Sequence, residues 1–103
     1  MMEYFTISLP ARDRVANRAH IGVVGSGDLE LLLEPNEENE AIVAVTTKVS
    51  GHRATWEAVI KRFFERHPFA VRIEIRDSGA TPGAVWLRLE QGIELACKDC
   101  NHD

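Results

Sequence analysis

Apolar and polar residues alternate along much of this chain, and the alternation gives way to a helical period in one stretch. From Tyr4 to Leu9, Phe5, Ile7 and Leu9 face one way and Thr6 and Ser8 the other, a strand pattern stopped by Pro10. Two further apolar runs, Ile21 to Val24 and Leu29 to Leu33, are joined by Gly25-Ser26-Gly27-Asp28. Two glycines in that connection supply the positive φ that a hairpin turn needs. In the second arm Leu29, Leu31 and Leu33 share one face, and Glu30 and Glu34 the other. Ile42 to Val49, rich in Val and Thr, reads as another strand.

The helical stretch runs from Arg53 to His67. Trp56, Val59, Ile60, Phe63 and Phe64 follow the i, i+3, i+4, i+7, i+8 spacing of one helix face. Glu57 and Lys61 form an i, i+4 pair in the favourable order, and Pro68 ends the helix. Phe69 to Asp77 alternates again, with Phe69, Val71, Ile73 and Ile75 inward. Ser78-Gly79 and Pro82-Gly83 mark a turn region before an expected last strand, Val85 to Glu90. The order is read as β-β-β-α-β-β. The expected class is α+β, a small, largely antiparallel sheet covered by one amphipathic helix.

Composition narrows this little. At 103 residues, with 45% hydrophobic and 27% charged positions, the chain reads as one ordinary globular domain, 1–103. No apolar stretch approaches the about 18 residues needed to cross a bilayer, so no membrane partner is expected. Met1-Met2-Glu3-Tyr4 lacks the basic start and apolar run of a signal peptide, which favours a cytoplasmic location. The net charge of −4 argues against nucleic acid as a partner. Its distribution is uneven. Arg12, Arg14 and Arg18 precede the glycine run, whereas Asp28, Glu30, Glu34, Glu37, Glu38 and Glu40 follow it with no base among them. A basic partner protein could read that acidic flank, but for Pro35 to Glu40 a solvated loop is the simpler account.

Ser26 is the residue that carries candidate chemistry. It sits between Gly25 and Gly27 at the break between two apolar segments, with Asp28 close behind, so no neighbouring side chain crowds its hydroxyl. Three catalytic or binding motifs come near this segment and fail. Gly22-Val23-Val24-Gly25-Ser26-Gly27 fits the glycine spacing of a phosphate-binding loop, but Asp28 and Leu29 stand where Lys and Ser or Thr belong. The apolar run that follows also reads as a strand, which offers no helix N-terminus. A dinucleotide fingerprint fails on glycine order. The hydrolase nucleophile elbow needs glycine two residues to each side of the serine, where Val24 and Asp28 stand, and none of His20, His52, His67 and His102 is locally paired with it. Catalytic residues are therefore not expected, and Ser26 reads as an attachment point reached by something large.

Two other features compete. Cys97-Lys98-Asp99-Cys100 with His102 offers three metal ligands, whereas a structural zinc site takes four from two separated clusters. Residues 96–103 are instead expected to be a flexible tail with reduced thiols, and no metal site is assigned. Trp86 falls on the face opposite Val85 of the expected last strand, so it reads either as part of a docking surface or as packed under a loop.

With these segments in view, the chain resembles the acyl carrier (delta) subunits of bacterial malonate decarboxylase. The resemblance rests on Gly22 to Glu30, Leu32-Leu33-Glu34-Pro35, Asp77, Gly79-Ala80-Thr81-Pro82-Gly83 and Leu87 to Gly92, with Trp56 at the start of the helix. It implies that Ser26, flanked by Gly25, Gly27 and Asp28, carries 2'-(5''-triphosphoribosyl)-3'-dephospho-CoA through a phosphodiester. The thiol of that group would hold acetyl and then malonyl during decarboxylation of malonate to acetate and CO2. It further implies a non-catalytic carrier that meets acyltransferase and decarboxylase subunits and a prosthetic-group transferase. The alternatives are the acyl carrier subunit of citrate lyase, which is similar in using the same group, and a noncatalytic interaction module docking through Trp86 or the acidic loop. The tail cysteines have no counterpart in the family pattern.

Overall fold

The alternating segments assemble into one five-stranded sheet. The computed structural model describes residues 2–23 and 25–97. Its elements are β1 (Glu3–Pro10), β2 (Ala19–Gly22), β3 (Leu29–Pro35), β4 (Glu40–Thr47), α1 (Arg53–Arg66), β5 (Val71–Asp77) and α2 (Pro82–Ala96). The strands lie in the order β1-β4-β5-β3-β2. β4 and β5 are parallel, as the intervening α1 allows, and the other three neighbouring pairs are antiparallel. The α+β class and the largely antiparallel sheet therefore match the sequence reading.

Two points of that reading change. Four strands precede α1, one more than the expected order counts, and each covers a segment that the sequence pattern itself marks out. More consequentially, Val85 to Glu90 is helical. Thr81 is the N-cap of α2, its side chain accepting from the Ala84 N–H at 3.2 Å, and Pro82 follows inside the first turn. A Pro-Gly pair that reads as a turn is here a helix start. Six residues are too few to separate a period of two from 3.6. Continued to Ala96, the buried set Val85, Leu89, Gly92, Ile93 and Ala96 has helical spacing, and Leu87 rotates out to 50% exposure.

The core lies between one sheet face and the two helices. Phe5, Ile7, Leu31, Leu33, Val43, Val45, Ile73 and Ile75 point into it from the strands. Trp56, Ile60, Phe63 and Phe64 enter from α1, on the face that the spacing predicts. A Cβ on Gly92 would approach the Leu31 side chain to 3.1 Å, so glycine lets α2 lie close to the sheet. Trp86 is half-buried and meets Phe63 edge-on at 5.1 Å, which joins the two helices instead of forming a free docking surface. Ala96, counted with the tail, closes α2: it is fully buried and its carbonyl accepts from the Ala16 and Asn17 N–H groups. Cys97 packs partly against the core, while Cys100 and His102 lie outside the described residues.

Phe63 has no exposed surface and touches the rings of both Phe64 and Trp86. Phe63→Ala should cost about 3–5 kcal/mol by chemical denaturation. Arg62→Ala, on the exposed side of α1, should stay within about 0.5 kcal/mol of the parent. Equal losses would place the wrong face of α1 on the sheet.

Candidate functional site: the glycine-serine turn

β2 and β3 pair antiparallel up to Gly22 opposite Glu30, and the connection between them carries Ser26. The Asp28 N–H donates to the Gly25 carbonyl at 3.0 Å, closing a four-residue turn with Ser26 and Gly27 at its centre. Gly27 has φ +77°, the value that the third position of a type II turn demands and side-chain-bearing residues rarely adopt. Ser26 is exposed. The surroundings are open: a Cβ on Gly27 would meet nothing within 4 Å, and one on Gly25 only the Val23 side chain at 3.9 Å. A bulky substituent on the Ser26 hydroxyl has room.

The turn is open without being loose. The Gly27 N–H donates to the Ser78 carbonyl at 2.7 Å, and the Ser78 N–H donates to the Asp28 carbonyl at 2.9 Å. Asp28 takes both oxygens to Arg88 of α2, receiving Nε at 3.2 Å and Nη2 at 2.6 Å. Its Oδ1 also accepts from the Leu29 N–H at 2.7 Å, and Arg88 Nη1 donates to Gln91 Oε1 at 3.0 Å. This forked geometry is the strong form of a carboxylate–guanidinium pair. The hydrogen bond to Arg88, helped by the Leu29 N–H, holds the Asp28 carboxyl below its ordinary range.

Gly22 explains the phosphate-loop-like spacing. It has φ +80°, and a Cβ there would fall 2.2 Å from the Leu29 carbonyl oxygen, so only glycine fits where the two arms approach. The segment after the turn is strand β3, and its backbone donors are engaged in the sheet. The turn also rests on a second loop. Asp77, only 5% exposed, accepts from Thr47 Oγ1 at 2.8 Å, the Gly79 N–H at 3.0 Å and the Ala80 N–H at 2.9 Å. Asp77 thereby fixes the 77–80 loop on which Gly27 sits.

The structure brings Gly25, Ser26, Gly27 and Asp28 together as one turn. Arg88, Ser78 and Asp77 support it, and sequence reasoning assigned none of them that role. Among the described residues no cluster of three His, Cys, Asp or Glu side chains is arranged to hold a metal, and no helix is long and apolar enough to cross a membrane.

A small α+β scaffold that exposes one serine on a braced, uncrowded turn has the form of a carrier. The comparisons with known proteins are specific. Residues 16–96 match the acyl carrier protein family described as malonate decarboxylase delta subunit (MdcD), and the chain belongs to that family. It is 46% identical over 94 residues to the malonate decarboxylase acyl carrier protein of Stutzerimonas stutzeri strain A1501, covering 90% of this chain and 95% of the relative. The corresponding protein of Pseudomonas putida strain W619 is 44% identical over 99 residues, covering 95% of this chain and all of the relative. Among solved structures, a chain of a Pseudomonas malonate decarboxylase hetero-tetramer in complex with malonate superposes with a TM-score of 0.86 at 44% identity. The match covers 91% of this chain and 98% of that one.

The ion pair makes a titration test possible. Because Asp28 is depressed in the fold, its contribution to stability is complete above the ordinary carboxylate range and is lost as acidification protonates it. Arg88→Ala should move the Asp28 titration midpoint, followed by carboxyl NMR, upward towards the ordinary value of 3.8. An unmoved midpoint would show that Arg88 does not hold Asp28 in solution.

Proposed function

We propose that this chain is the acyl carrier subunit of a cytoplasmic malonate decarboxylase complex and that Ser26 is where its prosthetic group is attached. The observation that carries this reading is the exposed Ser26 hydroxyl on a turn with free space around it and a fixed base beneath it. The residues present fit a group delivered from 2'-(5''-triphosphoribosyl)-3'-dephospho-CoA and linked to Ser26 as its 5''-phosphoribosyl diester. Forming the diester replaces the Ser26 O–H bond by a bond to the innermost phosphorus, the link from that phosphate to the next breaks, and the two outer phosphates leave as pyrophosphate together with the hydroxyl proton. When bound, the group supplies a thiol on which acetyl or malonyl rides as a thioester.

This chain's own residues present and steady the attachment point. Gly25 and Gly27 keep the hydroxyl reachable by a prosthetic-group transferase, while the Ser78 and Arg88 contacts hold the turn on the body. Arg88 also offsets the charge of Asp28 beside the position where a phosphodiester adds another anion. Acyl transfer and decarboxylation fall to acyltransferase and decarboxylase subunits. The hetero-tetrameric assembly of the Pseudomonas relative supports that division of labour.

Ser26→Ala should leave the unfolding midpoint almost unchanged, since an exposed turn hydroxyl contributes little. Decarboxylation of malonate by the reconstituted complex should fall to background. Ser8→Ala and Ser50→Ala should retain activity. Wild-type turnover with Ser26→Ala would remove Ser26 from the reaction.

A further inference from the structure

A second feature lies at the same end of the sheet as the Ser26 turn. β4 and β5 run parallel, and a groove of about 440 Å³ opens just beyond their carboxyl ends, between the first turns of α1 and α2. In sheets with parallel strands, this is where small ligands settle. The volume falls within the about 300–1,000 Å³ of small-molecule sites. Val49, Trp56, Val59, Ala80, Pro82 and Val85 give an apolar wall, and the exposed His52 and Thr55 complete the lining beside Asp77 and Gly79. Asp77 is the one carboxylate in the lining, already engaged by Thr47, Gly79 and Ala80, and no lysine or arginine is present.

The groove adjoins the attachment turn. Leu29, at the start of β3, pairs with Asp77 at the end of β5, so the turn and the groove share one end of the sheet. The Gly79 backbone lines the groove, and a Cβ on Gly79 would lie 3.9 Å from Gly27, the residue after Ser26. Anything long and flexible tethered at Ser26 samples this groove at high effective concentration, so weak intrinsic affinity is enough to fill it.

The charge pattern selects which part of such an arm fits. Phosphates are excluded, because the lining gives them no lysine or arginine and sets Asp77 beside them. Neutral pantetheine ending in an acetyl thioester is compatible with the apolar wall. A malonyl thioester is not, because its carboxylate would lose water, meet no lysine or arginine and stand beside Asp77. Resting on the carrier reading above, we infer that this groove is the resting site of the acetyl-bearing end of the arm and rejects the malonyl-bearing end. The product form is then held against the body and the form awaiting decarboxylation is left in solvent.

The test uses the full-length chain labelled with 15N, without prosthetic group, titrated separately with S-acetylpantetheine and S-malonylpantetheine. Amide shifts with the acetyl probe should cluster at Val49, Gly79 and Ala80 and at the Trp56 indole N–H, saturating in the millimolar range. The malonyl probe should bind at least about tenfold more weakly. Ala80→Leu fills the groove and Val49→Glu, at an exposed position, adds an anion without touching the core. Each should weaken the acetyl probe at least fivefold, and the second remains informative if the first disturbs folding. Shifts scattered elsewhere, no saturable shift, or equal binding of the two probes would overturn the inference. Intact mass of the chain from its native host separates the two levels. Added mass without groove binding defeats the groove alone, whereas no added mass defeats the carrier reading and leaves the probe result to decide the groove.

Discussion

The pairing of Asp28 with Arg88 ties the exposed turn to the body of the protein. It joins residues 60 apart in sequence, one at the end of a turn and the other on a helix packed across β2 and β3. A turn flanked by two glycines pays a large conformational entropy for order. Two backbone hydrogen bonds to Ser78 and a forked ion pair oppose that disorder while leaving the Ser26 side free. The pair lies partly in solvent, which weakens its Coulombic attraction. Its two-point geometry fixes direction as well as distance, and direction is what a presented hydroxyl needs.

That bracing depends on elements that follow one another in a definite way. β5 must lie beside β3 for Ser78 to reach the turn, and the parallel β4–α1–β5 unit puts it there. α2 must be a helix for Arg88 to project towards Asp28 while Val85 and Leu89 stay buried. As a strand, the same segment would have needed a neighbour with which to hydrogen-bond. As a helix it seals the core beside α1 and delivers Arg88 to the turn.

The parts legible in the sequence were those governed by short-range periodicity. β1, β3, β5 and α1 announce themselves because each buries one face and exposes the other over six residues or more. α2 was hidden because Val85, Leu87 and Leu89 alternate by accident over a short window and Pro82-Gly83 imitates a turn. The turn itself was legible from Gly25, Gly27 and Asp28, since backbone freedom and a missing side chain are local properties. Arg88, Ser78 and Asp77 were not, because their relation to the turn exists only after β3, β5 and α2 have packed. Gly22 looked like part of a ligand loop, and only its close approach to the Leu29 carbonyl shows that its role is steric.

The central claim is that one serine, displayed on this braced turn, is the covalent attachment point. Its most direct test is tandem mass spectrometry of peptides spanning residues 19–34 and 71–84 of the chain isolated from its native host. The account predicts the full prosthetic-group mass on Ser26 and unmodified Ser78, although the two serines stand on adjoining loops. The same mass on Ser78, or on any residue other than Ser26, would contradict it.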